Sequence, residues 1–177
     1  MKPFFIYTTN GNLFIKNINE DEIQISSNIY IYTVSIDKYD NINIFCITTL
    51  GKIIHIFKKD NSWQSNIIGR FSDRVRSIKD FICIKSNNNF NLFITEKNVF
   101  SNKYYKIHHL NYSNNTLKTF IFKDVIPHNK KIFNIETINL NIHFEYKIKN
   151  GYQNLIFDYS FSNWIYKDKS YQNNNIL

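Results

Sequence analysis

Runs of β-branched and aromatic residues broken by short polar turns, an approximate period of about 40 to 50 residues, and a scarcity of strong helix formers predict an all-β fold. Within that class they predict a β-propeller of about four four-stranded antiparallel blades. The 177 residues include no Ala and a single Met, so little or no helix is expected. Aromatics make up 17% of the chain, and Asn and Ile together about a third. AT-rich coding produces the Asn and Ile bias without any prion-like tract, and the Asn residues fall mostly where turns are needed.

The clearest unit runs from Tyr32 to Phe71. Its predicted strands are Tyr32 to Ile36, Asn43 to Ile47, Ile53 to Phe57 and Trp63 to Ile68. Between them lie Lys38-Tyr39-Asp40-Asn41, Leu50-Gly51-Lys52 and Lys59-Asp60-Asn61, which carry turn chemistry. The preceding unit has three strands only, Phe4 to Thr8, Leu13 to Lys16 and Glu22 to Ser26, with Asn10-Gly11 as a two-residue hairpin turn. Phe5 and Phe45, Gly11 and Gly51, and Ile23 and Trp63 all stand 40 positions apart, which aligns this unit with the last three strands of the next.

The third unit starts near Ile78 and carries Phe81 to Ile84, the turn Asn87 to Asn89, and Asn91 to Ile94. An insertion, Glu96 to Lys103, precedes Tyr104 to Leu110, the turn Asn114-Asn115 and Leu117 to Phe122. The fourth gives Ile132 to Ile138, Ile142 to Tyr146, the turn Asn150-Gly151, Leu155 to Tyr159 and Trp164 to Lys167. One domain, residues 1–177, is thus expected, with blades at about 1–28, 29–72, 73–125 and 126–170. A closing strand over 171–177 would supply the inner strand missing from the first blade and cover its open edge. Closure within one chain gives a monomer, which bulky inward residues such as Val34, Ile82 and Phe133 favour; exchange of tails gives a two-fold homodimer.

The Asn-Ile-x-Ile-Phe start at Asn43, Asn-Ile-His-Phe at Asn141, the hairpins at Gly51 and Gly151, and Asn61-Ser62-Trp63 resemble the β-propeller repeats of proteins of unknown function from AT-rich bacteria. The resemblance spans nearly the whole chain and implies a fold, not an activity. The sialidase-type Asp box and the WD and kelch signatures are absent from the sequence.

No apolar stretch of membrane-spanning length occurs, and Met1-Lys2-Pro3-Phe4-Phe5 runs straight into a strand pattern without a secretory h-region. A cytoplasmic protein is expected. Cys46 and Cys83 lie inside apolar strands, as buried free thiols in a reducing compartment do.

Adjacent His108 and His109 point to opposite faces of a strand and cannot serve one ion. His143 and Glu145 share a face but have no downstream cysteine pair, so structural roles are expected for all of them and no metal or cofactor is expected. A sialidase-like glycoside hydrolase needs arginines from several blades, whereas the only arginines are Arg70, Arg74 and Arg76 in one connection, followed by Lys79. That group is the candidate anion site, because guanidinium forks match phosphate and carboxylate. Its bland alternative is pairing with Asp73 and Asp80. A lectin-like sugar site on Tyr104, Tyr105, Tyr152 and Tyr159 is the second candidate.

The net charge of +8 permits a nucleic-acid or anionic-surface partner. The lysines scatter through all four repeats, however, and the aromatics alternate as core positions do, so nucleic acid is disfavoured. The expected function is a non-enzymatic binding or assembly module with a protein or glycan ligand. Deleting residues 172–177 is expected to cost several kcal/mol in a denaturant melt and to cause association in light scattering. A deletion variant that melts like the parent and stays monomeric would refute the closing strand.

Overall fold

The computed structural model describes residues 4–17, 21–37, 39–60, 62–71, 74–101 and 103–167. These form fifteen β-strands and one 3-10 turn, Val75–Ser77. The first sheet contains β1 (Phe4–Thr9), β2 (Asn12–Asn17) and β3 (Ile23–Ser26). The second contains β4 (Ile29–Ile36), β5 (Ile42–Thr48), β6 (Lys52–Lys59) and β7 (Ser62–Arg70). The third contains β8 (Ile78–Ser86), β9 (Asn89–Lys97), β10 (Tyr105–Ser113) and β11 (Thr116–Val125). The fourth contains β12 (Phe133–Ile138), β13 (Asn141–Ile148), β14 (Gly151–Asp158) and β15 (Asn163–Tyr166). Every sheet is an antiparallel meander in chain order, as expected from the sequence. No strand pairs with the outer edge of β1 among the described residues, and the expected closing strand, 171–177, lies outside them.

Asn does the work of the turns. Asn10-Gly11, Asn87-Asn88, Asn114-Asn115 and Asn139-Leu140 all hold positive φ at both positions, between 47° and 74°. Two left-handed residues give the turn twist that matches the twist of flanking strands, and Asn tolerates that region better than other side chains with a Cβ.

Three cores join the sheets in chain order, because alternate residues of each inner strand point to opposite neighbours. Leu13 meets Ile44, Cys46 and Ile56 between the first and second sheets. Phe45, Ile47 and Ile53 meet Phe81, Leu92 and Ile94 between the second and third. Phe93 and Ile107 meet Phe144, Leu155 and Phe157 between the third and fourth. Burial raises both thiols to about 12, and both cysteines are free.

Two of the three 40-residue equivalences fail in register. Ile6 pairs with Ile15 as Phe45 pairs with His55, so Ile6, not Phe5, occupies the Phe45 position. Phe5 turns outward and is 59% exposed, because Asn10-Gly11 is one residue shorter than the turn through Thr49, Leu50 and Gly51. Likewise Ile15 pairs with Ile23 where His55 pairs with Asn66, so Ile23 corresponds to Asn66 and not Trp63. The expected insertion also begins later: Glu96 and Lys97 belong to β9, and Glu96 is buried.

The two glycine turns are equivalent in a way that fixes the path between sheets. The Ile29 N–H donates to the Gly11 carbonyl (2.8 Å), and the Phe71 N–H donates to the Gly51 carbonyl (2.7 Å). Both glycines have positive φ, +74° and +80°, but a Cβ on Gly51 would lie 2.6 Å from the Phe71 carbonyl oxygen, while one on Gly11 would meet nothing closer than 3.7 Å. Gly11→Ala is therefore expected to cost about 1 kcal/mol and Gly51→Ala at least about 2 kcal/mol by denaturant unfolding. Equal losses would contradict the close approach at Gly51.

Candidate functional site

An antiparallel meander places the hairpin between its second and third strands at one end of the sheet and the other two turns at the opposite end. The links between sheets, at residues 27–28, 71–77 and 126–132, join the same end as the central hairpin. This link end gathers most of the basic side chains. Lys52 and Arg70 sit beside the Gly51 turn, and Arg74, Arg76 and Lys79 in and after the second link. Lys97, Lys103 and Lys106 lie on the β9–β10 hairpin, Lys123 near the end of β11, and Lys130 and Lys131 in the third link. Lys147 and Lys149 complete the set on the β13–β14 hairpin. Among the described residues Asp80, Glu96, Asp124 and Glu145 oppose these thirteen cations there.

The far end is different. Its described cations are Lys16, Lys58, Lys59, Lys85 and Lys118, against seven acids that include Asp37, Asp40, Asp60 and Asp158. Lysines scattered along the sequence are thus sorted in space.

At the link end a cleft of about 450 Å³ opens beneath the β9–β10 hairpin. Arg74, Lys106 and Lys123 supply its positive charge, Tyr105, Val99 and Phe100 its apolar wall, and Glu96 its floor. Glu96 is fully engaged: it accepts the Ser77 hydroxyl (2.9 Å), Lys106 Nζ (3.1 Å) and His108 Nε2 (3.1 Å). That buried network braces the start of β8 against β9 and β10.

The sequence candidates divide accordingly. Arg70, Arg74, Arg76 and Lys79 are all exposed at the link end, but only Arg74 lines the cleft. Asp80 caps the Phe81 N–H (2.9 Å), no ion pair joins it to an arginine among the described residues, and Asp73 lies outside them. Tyr104 and Tyr105 flank the same hairpin. Tyr152 is at the link end of the fourth sheet, beneath Lys147 Nζ at 5.8 Å and edge-on to His128 at 5.6 Å. Tyr159 is at the far end of β14, roughly 20 Å away by strand rise, where its hydroxyl accepts from Asn91. The four tyrosines do not form one sugar site. His143 and Glu145 do line one hollow of about 150 Å³ on the outer face of the fourth sheet, with Asn134, Asn154 and Lys167. Among the described residues no three His, Cys, Asp or Glu side chains are grouped to hold a metal ion.

No family model and no curated protein matches this chain.

A repeated pair escaped the sequence reading. His55 stacks on Phe45 (4.5 Å, 7°) and bonds Asn43 Oδ1 through Nε2 (2.9 Å); His109 stacks on Phe93 (4.6 Å, 20°) and bonds Asn91 Oδ1 (3.0 Å). Asn-x-Phe at Asn43 and at Asn91, 48 positions apart, was the available signal. The Trp164 indole can only donate, so its 3.0 Å bond makes His109 Nδ1 an acceptor and leaves the ring proton on Nε2. This chain of Trp164, His109, Asn91 and Tyr159 ties the fourth sheet to the third. In the fourth sheet Leu155 faces Phe144 where a histidine would stand, and Ile142 takes the Asn position.

Burial holds His55 down to about 4 and His109 down to about 3, from 6.5. The unfolded chain therefore binds more protons than the folded chain below pH 6.5, and stability is lost as pH falls from there towards 4 and 3. Asn43→Ile/His55→Leu copies the fourth sheet and should remove the His55 share of that loss. Thermal melts at about pH 7 and about pH 5 should show a smaller drop in Tm for the double variant than for the parent. His55→Leu alone should cost about 1–3 kcal/mol, since it leaves buried Asn43 without its partner.

Proposed function

We propose that this chain is a non-enzymatic binding or assembly module on a β-propeller scaffold, and that its basic link end takes an anionic ligand. The observation that carries the reading is the sorting of charge between the two ends. Like charges crowded on one face repel and work against the compact fold, and exposed side chains contribute nothing to the cores. Such a face is useful when a partner neutralises it. Its field would also steer an anion towards the cleft at Arg74. The propeller reading is supported by sheets that pack in chain order, the second and third each offering one face to the sheet before and the other to the sheet after.

The test removes three charges from each end in turn. Arg70→Gln/Arg74→Gln/Arg76→Gln and Lys58→Gln/Lys59→Gln/Lys118→Gln alter only exposed side chains and should leave Tm nearly unchanged. On heparin or phosphocellulose the arginine variant should elute at clearly lower salt, and the lysine variant close to the parent. Equal shifts for the two variants would mean that overall charge, not the link end, governs retention.

A further inference from the structure

Two apolar tips project from the link end, and the arginine link passes between them. Leu50, 70% exposed, forms the tip of the β5–β6 hairpin. Val99 and Phe100, 53% and 98% exposed, form the tip of the β9–β10 hairpin. These are the central hairpins of the second and third sheets, which share one core. Phe71 is bonded to Gly51 beside the first tip, and Arg74 lines the cleft walled by the second. The second tip is braced as well: the Asn98 N–H donates to the Tyr104 carbonyl (3.0 Å) and the Phe100 N–H to Asn98 Oδ1 (2.9 Å).

Building on the anionic-ligand reading above, we infer that the link end docks on an anionic lipid bilayer, with Leu50 and the Val99–Phe100 pair entering the apolar boundary and Arg70, Arg74 and Arg76 on lipid phosphates. A bilayer interface offers dense anionic phosphate with hydrocarbon a few ångströms beneath it, which is the order in which this face presents cations and apolar tips. Single-stranded nucleic acid would use cations and ring faces, but aliphatic Leu50 and Val99 gain nothing from base stacking and gain transfer free energy from lipid. Orientation follows from charge. The far end also exposes apolar residues, Tyr39, Leu140 and Phe161, yet its acids outnumber its cations and an anionic membrane repels it. The protein would lie on the bilayer and not span it.

Co-sedimentation of the full chain with phosphatidylcholine vesicles, with and without about three-tenths phosphatidylserine, tests the inference. The parent should sediment with the serine-containing vesicles at about 0.1 M salt, far less at about 0.5 M, and not with phosphatidylcholine alone. Leu50→Ser/Phe100→Ser should weaken vesicle binding about tenfold or more while its elution from heparin stays that of the parent. Absence of sedimentation at low salt, or a double variant that binds vesicles like the parent, overturns the inference. Retention on heparin without vesicle binding overturns the bilayer alone and leaves the anionic-ligand reading intact. An oligothymidylate bound more tightly than the vesicles would identify a nucleic-acid face instead.

Discussion

The path between sheets governs the rest of the structure. A meander of four strands brings the chain back to the end at which it entered, and a short link then starts the next sheet at that same end. The bonds from Ile29 to Gly11 and from Phe71 to Gly51 fix two of these passages by tying the link to the central hairpin of the sheet just completed. From this follow two distinct ends. One carries links and central hairpins, the other carries the remaining turns.

Side-chain alternation converts the same order into cores. Ile44 and Cys46 face the first sheet while Phe45 and Ile47 face the third, so β5 contributes to two interfaces at once. Within the later interfaces a histidine stacked on phenylalanine and bonded to asparagine brings polar groups into a closely packed region without leaving them unpaired. The third sheet goes further, since its His109 also accepts from Trp164 of the fourth and is thereby held neutral in one tautomer. Where Leu155 and Ile142 stand instead, the fourth sheet solves the same packing problem with apolar volume.

The link-end cleft combines features from elements far apart in sequence. Arg74 comes from the link, Phe100 and Tyr105 from the β9–β10 hairpin, and Lys123 from β11. Its charged floor is internally satisfied by Ser77, Lys106 and His108, which sets the cleft's shape. Two of the sequence candidates, Arg74 and Tyr105, meet there, while Tyr159 is spent on the buried polar chain at the other end.

Most strand and turn positions and the antiparallel order were legible from residues alone, although the loop expected from Glu96 begins only after β9 ends at Lys97. β-branched and aromatic runs set the strands, and Asn-Gly or Asn-Asn pairs set the hairpins through local backbone preference. Register was not: a one-residue difference in turn length moved Phe5 to the surface and put Ile6 in the place of Phe45, and spacing counts cannot sense such a slip. Nor could the sequence show that its lysines gather at one end, because that depends on the direction in which each strand runs. His55, His109 and the Asn residues that bond them were visible as letters, but their pairing is a cross-strand contact. Local propensity determined where the chain extends and turns; only the packing of sheets decided which side chains meet and which end they charge.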